Sequence, residues 1–360
     1  MRSMITLLSL SLGTSTGCIL LYSVDDEGGA GGTRGGAGSG SGAAAGSAET
    51  GGGGSSAGLE RFDLGALGRS VALRDGHGVA LAGATAPTAL YRFDDVSAAT
   101  LSTDGLVDAA DNVALLDDGS SIVTRSTVPA GASPFLRCDA GGCSPWFALT
   151  SDTYAAVSVL PESFAAVRAL DGVVDVFMQA DGAFVESLGE QGPRGTHITS
   201  RRCADASDMI AWVTQASATA TLHVFVRDSG ESAFTLRAEK SFAGQMNTLD
   251  VAPDCALFGT VAAVSTTSYF ELGAAATEPA TVPLGAALDG RIAADLTRLF
   301  AIEQGEGSLD PKLLACPRGT FMRDDCEAAP IACSGFGGLA ASADGVAVFT
   351  CDDALVAWRP

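Results

Sequence analysis

Two stretches of this chain, LDVAPDCALFGTV at residues 249–261 and LAASADGVAVF at residues 339–349, follow one design. In each, an apolar run leads into a turn that contains Asp254 or Asp344, and a second apolar run follows. Asp and Gly tolerate the backbone of tight turns, and an Asp side chain can accept hydrogen bonds from nearby amides. Runs that are apolar at nearly every position are typical of strands covered on both faces. These stretches therefore predict β-hairpins packed between other sheets.

The same design recurs along the chain, so internal repetition decides the fold. Seven copies can be aligned: 71–83, 106–116, 157–169, 203–213, 249–261, 292–302 and 339–349. Their turn residues are Asp75, Asp111, Pro161, Asp208, Asp254, Asp295 and Asp344. The mean spacing of these turns is about 45 residues.

A second pair of strands is predicted after the hairpins. It is visible as TALYRFDD (88–95), VVDVFMQADGAFVES (173–187), LHVFVRDSGESAFTLRA (222–238) and ALVAWRP (354–360). Four strands in about 45 residues is the arithmetic of a β-propeller blade. Residues 59–360 have room for about seven such blades. The sequence therefore predicts an all-β chain forming a seven-bladed propeller.

A family resemblance points to the same fold. APDCALF (252–258) and SADGVAVF (342–349) resemble the S-P-D-G turn of TolB-type propeller repeats, and they are similar to tryptophan-aspartate-type propellers in general. The resemblance covers most of residues 60–360 and implies a ring of blades. The rival architecture, a pair of β-sandwich domains, would not produce one turn motif at a constant period.

The two ends of the folded region predict how the ring closes. After Gly338 there is room for only three strands, while LERFDLG (59–65) is a lone strand-like segment before the first hairpin. This segment is expected to supply the outer strand of the last blade, which would protect the edge of that blade.

The N-terminus predicts export. MRSMITLLSLSLGTSTGC (1–18) has Arg2 before an apolar run that is too short to cross a bilayer, as in a signal peptide. Its end resembles a bacterial lipobox, which implies cleavage after residue 17 and acylation of Cys18. Ser15 stands where that motif usually has Leu, so an ordinary secretory signal is the alternative. By resemblance to enterobacterial sorting rules, Ile19 after the cysteine implies the outer membrane rather than the inner one.

A tether is predicted after the anchor, over residues 18–58. In residues 25–58, 15 of the 34 positions are Gly and most others are Ala or Ser. Such a composition cannot build a core and behaves as a flexible coil. It resembles the tethers of predicted myxobacterial lipoproteins. The predicted divisions are thus a signal peptide (1–17), a lipidated tether (18–58) and a propeller (59–360).

The charge excludes one class of partner. The chain has 42 acidic and 21 basic residues, a net charge of −21. A protein that binds nucleic acid through its phosphates needs a basic surface, so nucleic acid is not an expected partner. Attachment to a membrane is expected through the lipid alone.

The cysteines predict disulfides. Eight remain beyond Cys18, and an even number behind an export signal is typical of a disulfide framework. The expected pairs are Cys138–Cys143, Cys316–Cys326, Cys333–Cys351 and, by elimination, Cys203–Cys255. The repeat alignment conflicts with the last pair, because it places Cys203 and Cys255 at opposite ends of adjacent inner strands. No CxxC pair occurs, so a zinc site is not expected.

The search for catalytic chemistry finds no motif. There is no GxSxG, and His77, His197 and His223 are scattered. The acidic pairs at 94–95, 117–118, 324–325 and 352–353 are interpreted as solvated loop acids, and Trp146 and Trp358 as packing residues. No cofactor or metal is predicted.

One cluster of positive charge stands out in this acidic chain. Arg201 and Arg202 are expected just before an inner strand, where propellers often bind ligands. They are candidates for contact with an anionic partner, and a local salt-bridge cluster is the alternative.

These patterns predict a monomeric, non-catalytic binding or scaffold module at the cell envelope, with a protein or glycan partner at one face of the ring. A polysaccharide hydrolase or lyase is the second hypothesis. It would be favoured by clustered carboxylates and aromatic side chains in the central pocket. The third hypothesis is an envelope sensor domain.

Overall fold

The structure is a computed structural model. It describes residues 58–360 except 75–76, 84–87, 94–101, 108–109, 126–127, 129–131, 140, 148–152, 264–265, 275, 277, 286–287, 296, 304–310, 319–322 and 344. The signal peptide, Cys18 and nearly all of the tether lie outside the described residues and stay predictions.

The described chain is built from strands and one short 3-10 helix, Arg323–Asp325. The strands are β1 Leu59–Asp63, β2 Gly68–Arg74, β3 His77–Ala82, β4 Thr88–Phe93, β5 Ser102–Val107, β6 Ala110–Leu115, β7 Ser121–Arg125, β8 Phe135–Asp139, β9 Gly142–Pro145, β10 Tyr154–Leu160, β11 Ser163–Arg168, β12 Val174–Met178, β13 Phe184–Leu188, β14 Arg194–Arg202, β15 Asp208–Ala216, β16 Thr219–Arg227, β17 Thr235–Ala243, β18 Gln245–Val251, β19 Leu257–Ala262, β20 Thr267–Leu272, β21 Ala280–Gly285, β22 Leu288–Ala294, β23 Arg298–Glu303, β24 Lys312–Pro317, β25 Glu327–Pro330, β26 Phe336–Ala341, β27 Ala347–Cys351 and β28 Ala354–Trp358.

These strands form seven antiparallel sheets of four strands, which confirms the predicted propeller. Blades 1 to 6 are β2–β5, β6–β9, β10–β13, β14–β17, β18–β21 and β22–β25, and blade 7 has the order β26-β27-β28-β1. The inner strands β2, β6, β10, β14, β18, β22 and β26 each contact the next, and β26 contacts β2. The sheets therefore close into a ring, which excludes paired sandwiches.

β1 closes the ring as the sequence predicts. It pairs with β28 from Leu59↔Trp358 to Asp63↔Ala354, so the first described strand is the outer strand of the last blade. Leu64, which follows β1, is buried, and its N–H donates to the carbonyl of Asp353 over 2.7 Å. Trp358 is buried between blades 6 and 7, as the interpretation of a packing residue expects.

The core is divided among the interfaces between blades. Each of the seven clusters of buried apolar residues among the described residues joins two neighbouring blades. A middle strand such as β27, AVFTC, is buried at every position because sheets cover both of its faces. This packing explains why the middle strands lack the alternation of half-exposed strands.

Two of the seven predicted turn positions are wrong. Asp111 lies within the inner strand β6, and the inner turn of blade 2 falls at 117–120. Asp208 begins β15, and the inner turn of blade 4 is 203–207. The inner strand of blade 4, RGTHITSRR, is too polar to be recognised as a strand from sequence. The repeat was therefore aligned from the inner turn that follows this strand instead of from the strand itself.

The corrected turns share a hydrogen bond that explains the repeated Asp. The Oδ1 atoms of Asp118, Asp205, Asp254 and Asp295 accept from the backbone N–H two residues later, over 2.9, 3.0, 3.3 and 2.6 Å. The residue after the Asp adopts a positive φ at Gly119 (79°), Ala206 (63°) and Cys255 (62°). Asp thus folds the inner turn onto its own backbone, as in an Asx turn.

Among the described residues there are four disulfides, which are Cys138–Cys143, Cys203–Cys255, Cys316–Cys326 and Cys333–Cys351. The sequence alignment argued against Cys203–Cys255, and that argument is wrong because the alignment misplaced the inner turn of blade 4 at Asp208. Cys203 follows β14, and Cys255 follows β18, so both lie in inner turns on one face of the ring, with their Cα atoms 5.5 Å apart. This bond joins blade 4 to blade 5.

Candidate functional site

A cavity of about 770 Å³ lies on the axis of the ring, at the ends of the inner strands that lead into the inner turns. Every blade contributes to it. Its described lining is Val71–Arg74, Val113–Leu115, Val157–Val159, Pro161, Ile198–Arg202, Thr248–Val251, Pro253, Ile292, Ala294 and Leu339–Ala343. A volume of this size suits a small ligand or the tip of a polypeptide segment.

Most of the lining consists of small and aliphatic side chains, for a geometric reason. Seven strands converge on the axis, so little room remains for large groups there. The described lining contains Ala, Ser, Thr, Val, Leu, Ile and Pro but no aromatic side chain. The Oγ of Ser200 donates to the Oγ of Ser158 over 2.9 Å, which ties the walls of blades 3 and 4 together.

The lining of the cavity contains more arginine than acid, unlike the chain as a whole. Among the described lining residues, Arg74, Arg201 and Arg202 carry positive charge, and Asp250 is the one acid. The whole chain has twice as many acidic as basic residues. Two of these arginines are paired with carboxylates next to the lining, Arg74 with Asp117 and Arg202 with Asp208, so the cavity concentrates arginine side chains without a net excess of positive charge.

Arg201 and Arg202 end the inner strand β14, whereas the sequence predicted them just before an inner strand. Arg202 belongs to a salt-bridge cluster: its Nε and Nη2 donate to Asp208 over 2.8 and 3.1 Å, and Arg227 donates to the same carboxylate over 2.7 Å. Burial would raise the pKa of Asp208, but these two guanidiniums outweigh it and hold the pKa below its usual range. For Arg202, the structure therefore agrees with the alternative prediction of a local salt-bridge cluster.

Arg201 has different surroundings. It faces Asp250 of β18, whose Oδ1 accepts from the Thr199 hydroxyl over 3.3 Å and from the N–H of Val251 over 2.8 Å. Burial raises the pKa of Asp250 to about 6, although the Val251 N–H, Arg201 and Thr199 all favour the charged form. The carboxylate therefore titrates near neutral pH beside a permanent positive charge.

Arg74 connects the rim of the cavity across three blades. Its Nη2 lies 2.5 Å from Oδ1 of Asp117 in blade 2. Oδ2 of Asp117 accepts from the N–H of Glu162 over 2.7 Å and from Nε2 of Gln179 over 3.0 Å, both in blade 3. Since these bonds and the Cys203–Cys255 disulfide join neighbouring blades at this face, the rim is held in one arrangement.

Two of these residues were not singled out by the sequence. Asp250 interrupts the apolar run LDVAP, and Arg74 precedes the first inner turn. Asp250 could have been recognised as a candidate site residue because it is a charged residue within an otherwise apolar inner strand. Whether Asp250 lies near Arg201 depends on how blades 4 and 5 are aligned with each other, and the sequence pattern does not reveal that alignment.

The remaining chemical candidates do not assemble into a site among the described residues. His77 is exposed on β3, while His197 and His223 lie in blade 4, where Nδ1 of His197 contacts the Thr196 hydroxyl (3.0 Å) and Nδ1 of His223 contacts Glu239 (3.1 Å). The one group with metal-ligand spacing in the described chain is Cys333, Cys351 and Asp352, but its cysteines form a disulfide.

Two of the predicted acidic pairs have structural partners, whereas Asp324 and Asp325 are exposed in the 3-10 helix, as expected of solvated acids. Asp117 and Asp118 bind Arg74 and Arg137, and the carboxylate of Asp352 accepts from the N–H groups of Ser334 and Gly335. The pair at 94–95 lies outside the described residues. Trp146 is partly buried and stacks on Phe164 with ring centroids 5.2 Å apart, in agreement with a packing role.

No helix in the described part of the chain has the length and hydrophobicity of a membrane span.

Comparisons with known proteins show the fold. No protein-family model matches the sequence, and no curated protein matches it. Among solved structures, the chain is similar to the Dos1 propeller, with 9% identity, a TM-score of 0.55 and coverage of 84% of this chain and 94% of that one. It is also similar to YCF48 from Cyanidioschyzon merolae, with 12% identity, a TM-score of 0.58 and coverage of 84% and 99%. It is similar as well to YCF48 bound to D1 peptide, with 12% identity, a TM-score of 0.55 and coverage of 84% of this chain and 95% of that one. At such identities, the likeness concerns the β-propeller fold alone.

Proposed function

We propose that this chain is a non-catalytic binding module of the cell envelope, whose partner is a protein that inserts an anionic segment into the central cavity. The observation that carries the proposal is the position of Arg201, which lines that cavity in a chain of net charge −21. Long-range repulsion from the acidic surface opposes most anionic ligands, so an arginine at the axis favours an anionic group that reaches it.

Within this site, Arg201 is the proposed contact. Both arginines line the cavity: two hydrogen bonds to Asp208 hold the guanidinium of Arg202, and Arg201 lies near Asp250. A carboxylate of the partner would form a charge-assisted, bidentate pair with Arg201, which is a strong and directional interaction. Arg202 then serves the protein by fixing the end of β14.

The composition of the lining supports a protein partner over a glycan and over polysaccharide chemistry. Sugar-binding sites commonly offer aromatic faces, and glycosidases use a pair of carboxylates. The described lining has neither an aromatic side chain nor two acids. A similar propeller has been solved with a peptide, YCF48 bound to D1 peptide, so the fold accommodates polypeptide ligands.

The location is proposed from the sequence. The lipobox-like ending at Cys18, the Gly-rich tether and the resemblance to TolB-type repeats support a lipoprotein of the bacterial envelope, with the outer membrane expected from Ile19. The four disulfides support an oxidising compartment.

Labelling cells with a radioactive fatty acid tests the anchor. The wild-type chain should carry the label, and the Cys18→Ala variant should not. Equal labelling of both chains would contradict acylation at this residue.

Site-specific photo-cross-linking tests the binding face. Benzoylphenylalanine at Ala343, on the rim of the cavity, should capture a protein in intact envelopes. The matched control is Leu170, which is 79% exposed in the turn between β11 and β12, at the opposite face. Capture from position 170 but not from 343 would contradict the proposed face.

A further inference from the structure

A row of phenylalanines crosses blade 3 from its core to its outer rim. Phe164 of β11 pairs in register with Phe177 of β12, and Phe177 pairs with Phe184 of β13. The ring centroids are 5.1 and 6.1 Å apart. Phe164 and Phe177 are buried, whereas Phe184 is 58% exposed. The row therefore ends on a ring that has an aromatic neighbour on its inner side and solvent beyond it.

The strand that carries this ring is the outer edge of its blade. β13 stands last in the order β10-β11-β12-β13. Its Val185 is also exposed, at 39%, and Met178 at the end of β12 adds a third apolar side chain. An edge strand presents unpaired N–H and C=O groups that can bind another strand. β13 combines such an edge with apolar side chains.

Four of the other outer strands carry described residues that discourage strand addition. Proteins protect sheet edges with proline and charged side chains. The protecting residues are Pro145 in β9, Glu327 and Pro330 in β25, Arg237, Glu239 and Lys240 in β17, and Glu60, Arg61 and Asp63 in β1. β13, FVESL, has no proline, and its only charge is Glu186.

Glu186 supplies a second, independent observation. Its Oε1 is buried and accepts no hydrogen bond from the described residues. An unpaired buried carboxylate oxygen is unfavourable, so a cation or N–H donor from outside the blade would stabilise it. The exposed Asp181 and Glu190 on either side of β13 add negative charge to the same rim.

The register shows how a partner could satisfy both features. A bulge between Val176 and Phe177 aligns Glu186 with Val176 and Phe184 with Phe177. Phe177 packs toward blade 2, while Val176 packs toward blade 4. An added strand would thus place an apolar side chain beside Phe184 on one face of the blade and a basic side chain beside Glu186 on the other.

We propose that β13 binds an extended segment of a partner protein, rich in apolar and basic residues, as a fifth strand of blade 3. This site lies on the outer rim and does not depend on the proposed cavity site. Backbone hydrogen bonds along the edge would provide affinity, and the contacts with Phe184 and Glu186 would provide specificity.

A designed peptide tests this proposal on the full chain. The probe is a fluorescein-labelled peptide KVKFVVK, and its control is the charge-reversed peptide EVEFVVE. Fluorescence anisotropy should show that KVKFVVK binds the wild-type protein at least tenfold more tightly than the control binds it. Phe184→Lys should weaken the binding of KVKFVVK by tenfold or more, because it removes the apolar contact and repels the lysines.

The matched variant is Leu236→Lys, since Leu236 is an exposed apolar residue on β17, the outer strand of blade 4. It should bind KVKFVVK as the wild type does, and all three proteins should melt at similar temperatures. No measurable binding to the wild type, or equal binding by wild type and Phe184→Lys, would overturn the proposal. A wild-type dimer in sedimentation that Phe184→Lys dissociates would also overturn it, because the edge would then serve a second copy of this chain.

Discussion

Blades 3 and 4 are neighbours with the same strand order, but their edges differ. In blade 3, the row Phe164, Phe177 and Phe184 ends on an exposed ring. In blade 4, a bulge between Val224 and Phe225 places the matching row at Ile210, Phe225 and Leu236, and the outer strand continues with the charged residues Arg237, Glu239 and Lys240. The inner edges differ too, because blade 4 brings Arg201 and Arg202 to the cavity where blade 3 brings Ser158 and Val159.

This comparison separates the residues that build the ring from those that distinguish its surfaces. The middle strands of both blades are buried by their neighbours and carry apolar residues. The inner and outer strands meet the cavity or the rim, and there the two blades diverge in charge. Stability should therefore depend on the middle strands, and binding on the edges.

The largest expected effect breaks the shared core. Phe177→Ala should lower the free energy of unfolding by about 3–5 kcal/mol, because it leaves a cavity among buried rings. Phe184→Ala, at the exposed end of the same row, should lower it by less than about 1 kcal/mol. Guanidinium denaturation measures both. Comparable losses would mean that Phe184 belongs to the core rather than to a binding edge.

The next largest effect is expected from the disulfide that joins blade 4 to blade 5 at the cavity face. Replacing Cys203 and Cys255 with Ser should lower the free energy of unfolding by about 4 kcal/mol, since their bond spans 52 residues. Cys138 and Cys143 span 5 residues, and the same replacement there should lower it by about 2 kcal/mol. A smaller loss for the longer loop would argue against the tie between blades 4 and 5 as a source of stability.

The salt bridge at the end of β14 should make blade 4 sensitive to acid. Asp208→Asn removes a buried carboxylate shared by Arg202 and Arg227, and it should lower the free energy of unfolding by about 3 kcal/mol at pH 7. The folded-state pKa of Asp208 is depressed, so its contribution exists above the unfolded pKa and is lost as pH falls through the folded value. The difference between wild type and variant in thermal melts should therefore shrink as pH falls below about 4, the unfolded pKa of Asp. A constant difference down to pH 2 would contradict the assignment.

The smallest effect has the opposite sign. The pKa of Asp250 is raised to about 6, so the folded chain holds a proton that the unfolded chain releases near pH 4. Wild-type stability should consequently fall as pH rises from about 4 to 6, and Asp250→Asn should lack that fall. At pH 7, the variant should be more stable by on the order of 1 kcal/mol, because the partly exposed carboxylate is only partly desolvated. A less stable variant at pH 7 would show that the charged carboxylate has stronger partners than Arg201 and Thr199.

The period of the inner turns and the strand at 59–63 made the ring and its closure predictable from the chain alone. The polar inner strand RGTHITSRR was missed because its residues face the cavity and the rim, where no apolar pattern is needed. That omission displaced the turn of blade 4 and made the Cys203–Cys255 pair look impossible.

Features that depend on register were beyond the sequence. The row ending at Phe184 requires three strands in one alignment, including a bulge, and the approach of Asp250 to Arg201 requires two blades in one alignment. Neither distance is encoded in a local pattern. The arginine pair was visible as a charge cluster, but only the contacts distinguish Arg201, at the cavity beside Asp250, from Arg202, which is bound to Asp208.

The most direct test of the cavity site compares these two adjacent arginines. The measurement is the yield of photo-cross-linking from position 343 in intact envelopes, for wild type, Arg201→Gln and Arg202→Gln present at equal amounts. Loss of one charge-assisted pair with the partner should lower the yield about tenfold for Arg201→Gln. Arg202→Gln should stay within about twofold of wild type, since Arg202 is held by Asp208. An equal yield from all three chains, or a loss confined to Arg202→Gln, would contradict the account.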